Sequence, residues 1–313
     1  MIKYVNDFIK KIKNFGLKIS FYSYLAKVLQ RVLPNSHITQ KIISVKNEMI
    51  INYLYNKYEY VVKKFQKCYC GTRVNSNIIW IFWWQGLDSA PYIVKKCVQS
   101  ITKFYPDCII HIIDRINLSD FIEIDSKIMD KVQAGIISYT HFSDIVRMKL
   151  LSKYGGTWMD STIFLTDKVK LDEPLVTLHL DESDNNNRKM ISQGKWCGFF
   201  LGGEDNCIPK FVDEIFGEYW KNEDILIDYF LIDYVIELGY RNIPYIKNLI
   251  DNVPYNNKGV FVLQSKLNEK FDEKYFQNLC KETSVHKLSY KEEIFVEKNK
   301  NTFYKYLFAE DLK

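Results

Sequence analysis

Along the first thirty-three residues apolar side chains return every three or four positions. Ile2, Val5, Phe8/Ile9, Ile12 and Phe15 form one run with lysines between them, and Ile19, Tyr22, Leu25, Val28/Leu29 and Val32 form a second. This period predicts amphipathic helix, interrupted at Gly16 and stopped by Pro34. Residues 36–70 continue as a polar, Tyr-rich helical connection. The pattern then changes. Asn77–Trp84 (NIIWIFWW) is continuously apolar over the length of a strand buried on both faces. Residues 89–104 return to helical spacing, with Ser89 expected as N-cap and Pro91 in the first turn. Cys108–Asp114 (CIIHIID) reads as a second buried strand, and a helix is expected near 125–134. His141–Tyr154 is a strong helix with Gly155 placed to cap it, and Thr157–Phe164 returns as strand.

Strands alternating with helices through 77–164 predict parallel βαβ units. The expected fold is α/β with a mainly parallel central sheet, a helical arm (1–70) and a body (71–313) that ends in helical additions. Ligands of such sheets bind beyond the carboxyl ends of the strands, where Trp83, Trp84, Asp114 and Asp160 fall. Downstream, a polar loop at 181–195, read as a lid or plain surface, separates a short strand from WCGFFLGG at 196–203. Helices are expected at 208–220 and 224–239. Gly202-Gly203 suits either close approach of a ligand to the backbone or a turn.

The 313 residues carry a net charge of +5, unevenly spread. Residues 1–33 hold six lysines and Arg31 against Asp7, a local +6, which leaves the rest of the chain at −1. A nearly neutral body excludes a nucleic-acid-binding surface, which needs a basic stripe to neutralise phosphates. The basic arm fits an anionic membrane surface, where each nearby Lys or Arg contributes about 1 kcal/mol. It also fits a helix packed on the body with its lysines solvated. Seven cysteines, with Cys68 and Cys70 separated by one residue, match no zinc spacing and read as free thiols, Cys197 and Cys207 as packing. No run approaches the ~18 apolar residues of a membrane span. The N-terminus lacks the unbroken apolar stretch of a secretory signal. A cytoplasmic protein, peripheral at the inner face of the membrane, is expected.

Candidate chemistry concentrates in Ser143–Thr162 (SDIVRMKLLSKYGGTWMDST). Asp144 and Arg147, three apart, share one helical face. Arg147 is one of six arginines against 37 lysines, which favours a geometric role over a solubilising one. After Gly155-Gly156 the next strand delivers Asp160 at its far end. A buried ion pair with a separate turn aspartate is the alternative reading. Asp228 and Asp233 lie in ILIDYFLIDYVIEL, five apart, so one of them is expected to face a cleft, and Tyr229 shares a face with Asp233.

The segment resembles the signature of family 32 glycosyltransferases with a DxD-type sugar-binding region, and is closely similar to capsular polysaccharide synthesis proteins. The matching pieces are Ser143-Asp144, Arg147, Gly155-Gly156, Trp158 and Asp160-Ser161-Thr162. IIWIFWWQG at 78–86 resembles the family's first strand, with Trp83 at the base-stacking position. The two motifs span about residues 75–165. The resemblance implies a GT-A-like nucleotide-sugar-binding fold, with a donor half at about 75–165 and an acceptor half at about 166–313. It implies transfer of a hexose from a UDP-sugar to a lipid-linked glycan in capsule or surface polysaccharide synthesis, with retention of configuration. A toxin-like transferase acting on protein and an inactive carbohydrate- or nucleotide-binding module are the rival readings.

Carried over residue by residue, Trp83 would stack on uracil and Asp144 would hold a donor-sugar hydroxyl. Arg147 would meet the diphosphate or the sugar, and Asp160, with Ser161 and Thr162, the ribose or a divalent cation, Mn²⁺ or Mg²⁺. A cation and an arginine suit the charge that develops on a departing diphosphate. The chain departs from the pattern at Thr162, which replaces the second aspartate and brings no charge. His286 is the expected substitute ligand. The Asp-rich helix of relatives implies a catalytic or acceptor-binding carboxylate, Asp233 or Asp228.

Overall fold

The computed structural model describes residues 2–67, 72–180, 187, 190–292, 294 and 301–308. Two long helices lead. Helix α1 (Ile2–Val32) bends at Gly16, whose φ of 80° takes it out of helical geometry, and α2 (His37–Lys67) bends at Tyr58. The body follows in the order β1 (Ile78–Phe82), α3 (Tyr92–Phe104), β2 (Ile109–Ile113), α4 (Leu118–Phe121), α5 (Ser126–Gln133), α6 (Tyr139–Tyr154), β3 (Gly156–Met159) and β4 (Ile163–Leu165). Then come β5 (Val176–Thr177), β6 (Phe200–Gly203), α7 (Cys207–Asn222), α8 (Leu231–Asn242), α9 (Pro244–Asp251), α10 (Val262–Lys266), α11 (Glu273–Glu282), β7 (Val285–Lys287) and α12 (Phe303–Phe308).

The main sheet runs β2-β1-β3-β6-β5. Its centre is parallel, as the strand–helix alternation predicts: β1 pairs with β2 through Ile78↔Ile109 to Phe82↔Ile113, and with β3 through Trp80↔Trp158. Strands β6 and β5 extend it antiparallel. A second ladder, β4 with β7, sits beside it. The period of two along β1 divides its side chains between two cores. Trp80 and Phe82 pack with α6, α7 and α8, whereas Ile79 and Ile81 pack on the α3 side. Helix α2 lies across α7 and α8, and α1 packs on α2. The arm therefore backs the helical side of the body.

Three sequence expectations are corrected. Thr157–Phe164 is two strands, because the chain turns at Asp160–Thr162 and Ile163 N donates to Asp160 O (2.9 Å). The helix expected from residue 224 begins at Leu231, and 224–230 forms a loop held by α1 and α2. Ser89 is not an N-cap. Its hydroxyl donates to Gln85 O and Gly86 O within a short 3-10 turn, and α3 starts after Pro91. Cys68 and Cys70 lie outside the described residues, as does most of 181–189; the five described cysteines are free thiols.

Gly202 serves strand packing, not ligand approach or a turn. It faces Thr157 in the β3–β6 ladder, and a Cβ there would stand 2.2 Å from Gly156 O. Backbone cannot yield as a side chain does, so Gly202→Ala is expected to cost more than about 3 kcal/mol and to separate β6 from β3. A fall in thermal midpoint by calorimetry checks this; an unchanged midpoint contradicts it.

Candidate active site

Parallel pairing brings the carboxyl ends of β1 and β3 to one sheet edge, and antiparallel β6 begins at that edge. Trp83–Gln85, Asp160–Thr162 and Gly198-Phe199 therefore converge, with Phe199 O accepting from Asp160 N at 2.9 Å. With α6, the start of α8 and the segment after β7 they line an open cleft of ≈ 1340 Å³. Small-molecule clefts measure roughly 300–1,000 Å³, so this one has room for two substrates.

Helix α6 is capped by Ser138, whose hydroxyl accepts from His141 N (3.3 Å), and its inward face carries Asp144 and Arg147 into the cleft. Arg147, 5% exposed, bonds Asp144 Oδ1 through Nη1 (3.0 Å) and Asp160 Oδ1 through Nη2 (3.1 Å), with its guanidinium over the Trp158 ring. One fork thus joins the helix carboxylate to the strand-end carboxylate. His141 holds Asp144 from behind. Trp220 Nε1 donates to His141 Nε2 (3.0 Å), which assigns the proton to Nδ1, 3.4 Å from Asp144 Oδ2.

Asp160 is the most constrained member. Oδ1 also accepts from Trp158 Nε1 (2.8 Å), and Oδ2 accepts from Lys287 Nζ (2.5 Å). Burial alone would raise its pKa, but the Lys287 ammonium and the Arg147 guanidinium outweigh it and hold the carboxyl below the usual range. Two buried donors at the cleft, Trp83 Nε1 and Arg147 Nε, have no partner among the described residues.

Asp233 faces the same cleft from the first turn of α8, beside Tyr229 and Phe230. Burial pushes its carboxyl up to about 7, although Trp196 Nε1 donates to it at 2.8 Å. A carboxyl poised at neutrality suits proton transfer. Asp228 is elsewhere, paired with Lys46 (3.0 Å) and accepting from Phe230 N (3.1 Å), and it does not line the cleft. Asp114 caps its own turn through Ile116 N and Asn117 N. Trp83, Asp144, Arg147, Asp160, Ser161, Thr162 and Asp233 share one wall system.

His286 is not placed as expected. It is fully buried in β7 opposite Phe164, with Nε2 3.2 Å from Thr166 Oγ1, and burial pushes its pKa down to about 4. The neighbouring Lys287 turns to the cleft instead. Its ammonium lies on Asp160 Oδ2 and donates to Thr162 Oγ1 (2.7 Å). Sequence reasoning missed Lys287, whose signal was its place one residue past the histidine in an alternating strand.

These donors do not fit the expected Mn²⁺ or Mg²⁺. Both Asp160 oxygens are engaged, Thr162 is neutral, and His286 faces away. No group of three His, Cys, Asp or Glu side chains suited to a metal occurs among the described residues. A divalent ion on Asp160, about 4 Å from that ammonium, would be repelled by about 8 kcal/mol at an effective dielectric constant of 20.

Comparison with known proteins agrees with the sequence resemblance. The capsular polysaccharide synthesis protein profile matches residues 30–307. The O-glycosyltransferase braB of Annulohypoxylon truncatum is 28% identical over 100 residues, which are 28% of this chain and 23% of that protein. The chain thus matches under a quarter of that relative's length. Among solved structures, the PaToxG glycosyltransferase is 12% identical, with a TM-score of 0.38, over 69% of this chain and 84% of that one. The galactosyltransferase LgtC, solved with donor and acceptor sugar analogues, is 14% identical, with a TM-score of 0.40, over 74% of this chain and 94% of that one. Since the profile match runs through both long motifs and nearly the whole chain, this protein belongs to the capsular polysaccharide synthesis protein family.

Proposed function

We propose that the protein is a glycosyltransferase that moves a hexose from a UDP-sugar to a lipid-linked oligosaccharide during capsule or surface polysaccharide assembly. The observation that carries this reading is the Asp144–Arg147–Asp160 cluster at the strand ends, beside Trp83, in a cleft roomy enough for donor and acceptor. Trp83, which lines the cleft, offers the uracil a flat apolar face. Asp144, oriented by His141, accepts a hydroxyl of the donor sugar, and Asp160, with Ser161, meets the ribose. Arg147 meets the diphosphate, whose charge grows as the sugar leaves.

The acceptor enters from the opposite wall, past the exposed rings of Tyr229 and Phe230, and its hydroxyl is held by Asp233. Residues 75–165 then supply most of the donor half and 166–313 the acceptor half, with Lys287 reaching back to Asp160. Retention of configuration comes with the family resemblance, and the anomeric signal of the product by NMR reads it directly.

The arm supports a membrane-bound acceptor. Leu17, Phe21, Tyr24, Val28 and Val32 recur at helical steps on α1 and are 38–67% exposed, while Phe15, Ile19 and Ala26 pack inward. Lys13, Lys18, Lys27 and Arg31 are exposed around this stripe. An apolar stripe edged by cations is the form that lies in an anionic lipid interface. Lys11 is the exception: its ammonium donates to Ile227 O (2.8 Å), and burial lowers its pKa to about 8. With the Lys46–Asp228 pair it ties the arm to the 224–230 loop that carries Tyr229 and Phe230. Docking would bring that loop to the lipid. Losing two apolar insertions in Leu17→Ser/Phe21→Ser is expected to weaken cosedimentation with anionic vesicles at least about tenfold, with folding unchanged. Equal sedimentation of the variant would rule out the stripe.

The acceptor is tested with labelled UDP-hexoses and a lipid-linked oligosaccharide. Label is expected in the organic extract. Label that enters only protein supports the toxin-like reading instead.

A further inference from the structure

The turn after β3 places Asp160 and Thr162 two residues apart, and the ammonium of Lys287 bridges them. We propose that Lys287 does the work of a divalent cation: with Arg147 it balances the charge of the departing diphosphate, so the protein binds and uses its donor without metal. This inference rests on the nucleotide-sugar reading above and deepens it.

The seat is built into the backbone. Lys287 pairs with Ile163 across the β4–β7 ladder, its N–H donates to Val260 O (2.8 Å), and Leu288 N donates to Thr162 O (2.9 Å). These bonds lock β7 against the turn and leave Lys287 little choice of position. The ammonium lies 5.1 Å from the centre of the Phe199 ring, at the cleft wall, with its side chain 22% exposed. Two of its three N–H donors go to Asp160 and Thr162, which leaves one for a ligand.

Thr162 and Lys287 are complementary in charge. Asp144, Arg147, Asp160 and Lys287 together carry no formal charge. With a second aspartate at 162 the cluster would be negative, and a diphosphate would need a metal to enter it. With Thr162 it is neutral, and Lys287 and Arg147 together match the double charge of a divalent cation. In the transfer step, the bond between the sugar C1 and the β-phosphate oxygen breaks and its electron pair leaves with UDP. The acceptor oxygen forms the new bond to C1 on the face that the diphosphate leaves, as retention requires, and its proton passes to the Asp233 carboxylate. Lys287 and Arg147 hold the diphosphate oxygens and exchange no protons.

Equilibrium binding of UDP and of uridine to the full chain, by calorimetry, tests the idea in EDTA and again with Mn²⁺. Wild type is expected to bind UDP equally well in both. Lys287→Met should lose at least about tenfold in UDP affinity and none for uridine, as the loss of one charge-assisted bond implies, and Lys287→Arg should keep most of it. UDP binding that requires Mn²⁺, or a Lys287→Met protein that binds UDP like wild type, overturns the role of Lys287 and leaves the nucleotide-sugar reading standing. Failure of every uridine nucleotide to bind in either condition overturns both. The wild-type comparison needs no variant and decides even where Lys287→Met does not fold.

Discussion

Arg147→Ala is expected to abolish turnover and to loosen the fold at once. Its guanidinium is the shared partner of Asp144 and Asp160, both carboxylates at the cleft floor. Removing one partner of a buried ionic network costs about 3–5 kcal/mol, because the remaining charges lose their compensation. Loss of a donor aimed at developing charge costs a further factor of roughly 10²–10³ in rate. Arg147→Lys restores charge but not the fork, so it should recover stability in part and rate hardly at all. Circular dichroism melts alongside kcat on the folded fraction separate the two effects. Wild-type turnover from a folded Arg147→Ala protein would remove Arg147 from the site.

Asp233→Asn should have the opposite signature, slower but steadier. If the carboxylate takes the acceptor proton, its loss lowers kcat by about 10²–10⁴. The wild-type rate should rise with pH through about 7, where burial has placed this carboxyl, and the residual rate of the variant should not. Stability moves the other way. The folded-state pKa lies above the unfolded value of about 3.9, so between these values the folded protein holds a proton that the unfolded chain has lost. The stabilising contribution is complete below pH 4 and is lost as pH rises toward 7. Asn carries no such dependence and still accepts from Trp196. The midpoint difference between variant and wild type should therefore grow from pH 4 to pH 7 in favour of the variant. A flat difference would mean that Asp233 is not perturbed.

Much of the cleft wall around Asp160 was legible in the sequence, because its signals are local. Buried strands read as continuous apolar runs, α6 as a capped period ending at Gly155, and Asp144, Arg147 and Asp160 as fixed offsets on those elements. What escaped depends on distant partners. TWMDSTIF reads as one strand, and only pairing with β7, more than a hundred residues later, draws Ile163–Leu165 into a separate ladder. The late start of α8 reflects Lys11 and Lys46 holding the preceding loop from the arm. His286 and Lys287 differ by one residue and by one face of a strand, and register is set by the partner strand, not by the local sequence. The same error hid Lys287, whose ammonium sits on Asp160 and Thr162.

Release of free UDP from a panel of UDP-sugars, compared between this chain and Asp160→Asn, decides whether the cleft transfers sugar. We expect turnover with at least one UDP-hexose in wild type and its loss in the variant, since Asp160 organises Arg147, Trp158 and Lys287 together. UDP binding without turnover of any donor, or equal turnover by Asp160→Asn, would contradict it.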